Sequence, residues 1–211
     1  MLMQRIMRLA MGISICATAT AQAQNVNITP DVAARSFVLN GKDVTISRVQ
    51  NPDHQLPAEL SKTSRPCPPF CVTPASAAPG VATIGELEVM DFLETHVAKG
   101  DGLLIDSRVP DWFRKGTIPG AVNVPFSTLD IANPYRDDIL KALGARNSDA
   151  GWDFTDALAL TLFCNGPWDE QSTRAVQSQT QAGYPPEKIQ YYRGGIQLWM
   201  LLGLTVRQPV G

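Results

Sequence analysis

The run Ala157-Leu158-Ala159-Leu160-Thr161-Leu162-Phe163 constrains this chain more than any other segment. It has one hydroxyl and no charge. It reads as a strand buried on both faces, as in a parallel sheet covered by helices. Cys164 follows directly, then the loop Asn165-Gly166-Pro167-Trp168-Asp169-Glu170-Gln171, then a helix-like stretch opening at Ser172. A thiol at such a strand–loop–helix junction sits where backbone N–H groups and a helix N-terminus converge. That setting favours thiolate over thiol and holds an anion. A nucleophilic cysteine is expected there; a buried structural cysteine is the alternative.

The start of the chain reads as a targeting segment. Arg5 and Arg8 form a basic region, Leu9 to Ala19 a short apolar stretch, and Ala21-Gln22-Ala23 a cleavage signal. Residues 1–23 are therefore expected to be a signal peptide and the protein to be periplasmic. Bulky Ile15 before Cys16 argues against lipidation. Losing Arg5 and Arg8 lowers Lys+Arg from 18 to 16 against 20 Asp+Glu, a net charge of −4. With no basic run, nucleic acid is not an expected partner. No second hydrophobic stretch suggests a membrane span.

Residues 24–80 read as an N-terminal arm. Ser36 to Leu39 and Val44 to Ser47 flank Asn40-Gly41, a hairpin signal. Asn51 to Gly80 is rich in Pro, Ser and Ala without periodicity, and contains Cys67-Pro68-Pro69-Phe70-Cys71. Three readings of Cys67 and Cys71 are open: a local disulfide, a redox dithiol exchanging with Cys164 or a partner, or a metal site with His54. The metal reading lacks a third or fourth ligand at suitable spacing. His96 falls on the outer face of a helix, so a Cys–His dyad is not expected.

From Val81 onward strands and helices alternate. Thr83 and Glu86 suggest a capping box before the stripe Leu87, Met90, Leu93 and Val97. Leu103-Leu104-Ile105 ends at Asp106. Ile118 to Pro125 carries a turn and a short strand, and Ile139 to Leu143 a helix. Ser172 to Ala182 is helical, Ile189 to Tyr192 a strand, and Ile196 to Leu202 a last helix. This alternation predicts an open parallel α/β sheet, with a ligand site at the strands' carboxyl ends, where Cys164 lies.

Four segments, in order, resemble the rhodanese-like domain family. Asp106-Ser107-Arg108-Val109-Pro110 resembles its D-x-R-x-P signature. Gly116 to Pro125 resembles its G-H-I-P-G-A-x-N-I-P segment. Phe163-Cys164-Asn165 resembles its cysteine loop, and Tyr192-Arg193-Gly194-Gly195 with Trp199 and Leu202-Gly203-Leu204 its closing pattern. The resemblance covers roughly Val81 to Val206, and the domain is expected over residues 81–211. It implies an α/β fold: an open parallel five-stranded sheet flanked by helices, here preceded by the small hairpin-containing arm. It also implies sulfur transfer through a persulfide on Cys164, using a small sulfur-donor anion or polysulfide and a thiol acceptor. A protein partner is also conceivable; no cofactor or metal is expected. Asp106 and Arg108 are placed to support the loop, and Trp168 to wall the pocket or dock a partner.

The departures concern the loop. Thr117 stands where the family has His, and Trp112 where an acidic residue is common. The loop from Cys164 to Ser172 is long and lacks the family's Arg or Lys. It carries Asp169 and Glu170 instead, which raise a thiol's pKa and repel anionic donors unless they point outward. Cys-Asn-Gly-Pro-Trp resembles a variant of exported rhodanese-like proteins with a second cysteine at the position of Asp169. Glu170 occupies the position where a C-x5-R phosphatase has its arginine, which argues against phosphatase chemistry. A sulfurtransferase and a non-catalytic binding or thiol-redox module remain the two readings.

Overall fold

The computed structural model describes residues 25–209. Residues 1–23, expected above to be a signal peptide, lie outside them. The centre is a parallel sheet of five strands: β3 (Ala82–Ile84), β4 (Gly102–Asp106), β5 (Val122–Asn123), β8 (Ala159–Phe163) and β9 (Ile189–Tyr192). Their spatial order is β3-β9-β8-β4-β5, and every neighbouring pair is parallel. The apolar run thus forms the middle strand, and both of its neighbours carry the same register of buried residues.

Alternation along each strand divides the core between the two faces. Ile105, Leu160, Leu162, Ile189 and Tyr191 face one layer with Leu140, Ala175 and Val176. Leu104, Phe163 and Tyr192 face the other with Leu93, Ile196 and Trp199. Helices α4 (Arg136–Ala142) and α5 (Gln171–Gln181) cover the first face. Helices α2 (Glu86–Phe92) and α6 (Gly195–Leu201) cover the second, and α2 runs on into a π-helical segment at Leu93–Val97. None of the helices among the described residues is long and apolar enough to cross a membrane.

The arm is built onto this second face. Strands β1 (Ala34–Leu39) and β2 (Lys42–Ser47) pair antiparallel around Asn40 and Gly41, both with positive φ, as a tight two-residue hairpin turn demands. Phe37 and Ile46 of the hairpin, and Leu60 of the short helix α1 (Ala58–Ser61), are buried in the same layer as Leu93 and Trp199. Arg35 adds ion pairs to Asp91 and Glu94, both at 2.6 Å.

Two local expectations change. Thr83 lies inside β3, because edge pairing with β9 keeps it extended, and its hydroxyl donates to Ala75 O at 2.6 Å. The helix begins instead after Gly85, whose N–H donates to Glu88 Oε2 at 3.0 Å. Leu87 faces solvent, while Val89 and Phe92 join Met90, Leu93 and Val97 inside. A small hairpin, β6 (Arg146–Ser148) with β7 (Gly151–Asp153), and the short helix α3 (Pro110–Arg114) complete the chain.

Candidate active site

Two corners meet at the carboxyl edge of the sheet. The first follows β4. Asp106 is fully buried there. Its Oδ1 accepts from Arg108 N at 3.1 Å and Nε at 2.8 Å, and its Oδ2 from Arg108 Nη2 at 2.6 Å and the Thr117 hydroxyl at 2.7 Å. Arg108 Nη2 also donates to Gly116 O at 2.7 Å. Asn123 Nδ2 clamps the turn by donating to Asp106 O and Arg108 O, at 2.9 and 2.8 Å. This corner is a closed ion pair whose hydrogen bonds hold the backbone of the turn. Thr117 fills the histidine's place by supplying one more donor to the carboxylate.

The second corner follows β8. Cys164 ends the middle strand, and its carbonyl accepts from Ile196 N at 3.0 Å. Asn165 O accepts from Gln197 N at 2.9 Å. The start of α6 therefore packs directly on the cysteine backbone. A Cβ on Gly195, where φ is +60°, would stand 2.5 Å from Cys164 O, so only glycine fits. The Ser172 hydroxyl donates to Cys164 Sγ at 2.9 Å, and the thiol faces Asp169 O at 3.1 Å. Helix α5 opens at Gln171, so Ser172 lies in its first turn. Gln171 ties the corners together, its Oε1 accepting from Val109 N at 3.2 Å.

The two acidic loop residues part ways. Glu170 is exposed and stands 3.5 Å from Arg174. Asp169 is buried and points inward. Its Oδ2 accepts from Asn165 N and Nδ2, at 3.3 and 2.7 Å, and its Oδ1 from Gln171 N at 3.1 Å. The side chain thus occupies part of the N–H nest that a bound anion would use. No Lys or Arg among the described residues forms an ion pair with it.

The thiol's surroundings differ from the sequence expectation. Cys164 is 1% exposed. Burial, then the charge of Asp169, pushes the thiol up to about 12. The Ser172 hydroxyl and the backbone groups of Ser172 and Gly166 pull the other way and favour the thiolate. The reason is architectural: β8 is the middle strand, so its end is roofed from several sides. Asp169 feels the same burial, which raises its carboxyl above the ordinary value.

The arm packs against the same loop. Cys67 and Cys71 are joined in a disulfide, which leaves Cys164 as the free cysteine among the described residues. Arg65 and Phe70, on either side of the bridge's first cysteine, contact the Trp168 ring. Gly166 and Pro167 complete the turn, Gly166 O accepting from Asp169 N at 3.0 Å. His54 is exposed, and His96 Nδ1 lies 3.0 Å from Asp101 on the surface. Among the described residues no group of three or more His, Cys, Asp or Glu is arranged to hold a metal. Sequence reasoning missed Arg65, Phe70, Thr73 and Gln197 around the loop. Nothing periodic marks those positions.

The chain is similar to several solved structures and matches one family profile. The human single-domain sulfurtransferase TSTD1 is 27% identical, with 57% of this chain and 96% of that chain covered and a TM-score of 0.39. A rhodanese-related protein from Thermoplasma volcanium is 20% identical, covering 61% and 99%, with a TM-score of 0.41. A thiosulfate sulfurtransferase from Pseudomonas aeruginosa is 17% identical, covering 61% of this chain and 20% of that one, with a TM-score of 0.41. No curated protein matches the chain. The family profile of the rhodanese-like domain matches residues 89–202, from within α2 to just past α6, and so takes in both corners. More than half of the sequence lies within that match, and this chain belongs to the rhodanese-like domain family.

Proposed function

We propose that the protein is a sulfurtransferase that carries sulfane sulfur as a persulfide on Cys164. The supporting observation is the position of Sγ: it ends the middle strand, accepts from the Ser172 hydroxyl at 2.9 Å, and lies at the opening of α5. In the first step the Cys164 thiolate attacks the outer sulfur of a donor, a thiosulfate-like anion or a polysulfide. A new S–S bond forms, the donor's S–S bond breaks, and the donor leaves with that bond's electron pair. In the second step a thiol or other nucleophile attacks the outer sulfur and frees the thiolate. The Ser172 hydroxyl and the N-terminus of α5 stabilise the anionic sulfur in both states. Asp169 disfavours a dianion beside the thiol, so an uncharged organic polysulfide suits this loop better than thiosulfate.

Intact-protein mass measurement tests the proposal. Incubation with a polysulfide should add the mass of one sulfur, removable by cyanide or thiol and absent from Cys164→Ser. Folded protein that never gains this mass from any sulfane donor would remove the proposal. The burial of Cys164 favours a second reading, a non-catalytic binding or thiol-redox module. Under that reading Cys164 stays unmodified while a protein partner is bound. We further propose export to the periplasm, on the strength of the leader-like start of the sequence. Protein that fractionates with the cytoplasm and keeps its first 23 residues would contradict this.

A further inference from the structure

The cysteine loop and the disulfide loop meet at one side chain. Trp168 projects from the cysteine loop, and its indole N–H donates to Gln197 Oε1 at 2.7 Å. The guanidinium carbon of Arg65 lies 3.7 Å from the ring centre. Phe70 meets the same ring edge-on, with centroids 5.6 Å apart. Further along the arm, the Thr73 N–H and hydroxyl both donate to Pro167 O, at 2.8 and 3.0 Å. Arg193 holds that end by donating to Thr73 O at 2.8 Å and Pro74 O at 3.0 Å. The segment from Arg65 to Thr73 therefore lies across the loop and is pinned at both ends.

The Cys67–Cys71 bridge closes the chain between those two pins. Cys67 is exposed and Cys71 half-buried, so a reagent in solution reaches the bridge. Cys164 is in the opposite state, with 1% of its surface exposed. The arm thus lies against the loop that carries this buried thiol. The bridge restricts the residues around Phe70 to a small set of conformations, one of which lies against Trp168. Without it that stretch regains chain entropy, and the contacts of Phe70 and Arg65 with Trp168 have to hold it unaided. The hydrogen bonds at Thr73 lie beyond the bridge and remain as a hinge.

We propose that Arg65–Thr73 is a cap over the Cys164 loop, and that the Cys67–Cys71 disulfide is a latch which a dithiol reductant opens. The opening step is balanced without Cys164. The dithiol gives two electrons and two protons, the bridge becomes two thiols, and the reductant becomes a cyclic disulfide. The inference rests on Cys164 being the reacting group of the proposed function, yet access to the thiol is measurable whether or not sulfur is transferred.

The test compares iodoacetamide labelling of Cys164, read by peptide mass, in the full chain. Four samples are needed: oxidised wild type, wild type reduced with dithiothreitol, the double variant C67S/C71S, and F70A with its bridge intact. Opening the cap should speed labelling at least about tenfold in the last three samples. Equal rates in oxidised wild type and the folded double variant overturn the latch. Equal rates in wild type and F70A overturn the cap, and F70A carries that test if the double variant does not fold. Fast labelling of the double variant without sulfur uptake from polysulfide would sink the sulfurtransferase reading and leave the cap standing.

Discussion

Asp106 and Asp169 stand at neighbouring corners of one sheet edge, both buried, and they meet opposite surroundings. Asp106 receives a bidentate guanidinium, a backbone N–H and a hydroxyl, so its charge is matched where it sits. Asp169 receives one amide side chain and two backbone N–H groups, and no cation within ion-pair distance among the described residues. The first carboxylate is structural, its charge matched by that of Arg108. The second disfavours its own ionisation and that of the thiol beside it. Burial alone does not decide what an aspartate does; the charge of its donors does.

Removing the matched carboxylate breaks this comparison at its strongest point. Asp106→Ala leaves Arg108 buried without a counter-charge and is expected to lose about 3–5 kcal/mol of stability in urea titrations at neutral pH. A loss under about 1 kcal/mol would mean that Arg108 finds water or another carbonyl, and that the corner is not closed. Thr117→Val is the next step down. It keeps the shape and removes the hydroxyl that donates to Asp106 Oδ2, so the expected loss is about 1.5–3 kcal/mol. Thr117→Ser should restore most of it, because the donor returns.

The sequence made the frame of this site legible and left its interior hidden. The apolar run before Cys164, the strand Ile189–Tyr192 and the Asn40-Gly41 hairpin were all visible, because period and turn chemistry are local properties. The edge strand Ala82–Ile84 was not, since three residues carry too little pattern to show that β9 pairs with them. Adjacent Asp169 and Glu170 look alike in a sequence. Which one turns inward depends on Asn165 and Gln171 offering N–H groups, a matter of loop conformation. The thiol's burial was hidden for a similar reason. It comes from the fold of the loop and the start of α6 packing on the cysteine backbone, neither of which has a local sequence pattern.

Asp169→Asn sharpens the comparison by removing the unmatched charge while keeping one acceptor oxygen, which serves either Asn165 or Gln171 but not both. Because burial raises the Asp169 carboxyl, the folded chain holds that proton more tightly than the unfolded chain. Stability contributed at this position therefore falls as pH rises from the free carboxyl value, about 3.9, through the raised folded value. The asparagine variant, which does not titrate there, should lack that decline in a urea titration repeated across pH. Cys164 has the same sign. Its folded value of about 12 exceeds the free-thiol value of about 8.5, so stability also falls across that alkaline window. Removing the Asp169 charge should lower the thiol's value and so raise the thiolate fraction at a fixed pH beneath it. The pH profile of iodoacetamide labelling, taken with the cap opened, reads this directly.

Glu170→Gln is the smallest change and the control that decides what the larger ones mean. It removes the same charge one residue away, but from a side chain in solvent whose nearest cation, Arg174, stands 3.5 Å off. Exposed pairs of this kind contribute little, so stability should stay within about 0.5 kcal/mol of wild type. The labelling profile of Cys164 should not move. Water screens the outer carboxylate, whereas Asp169 acts on the sulfur through protein. A shift in E170Q as large as that in D169N would show that the loop's total charge, not the inward carboxylate, sets the thiol. Added salt then separates the two cases, because it would erase a shift carried through solvent and spare one carried through the interior.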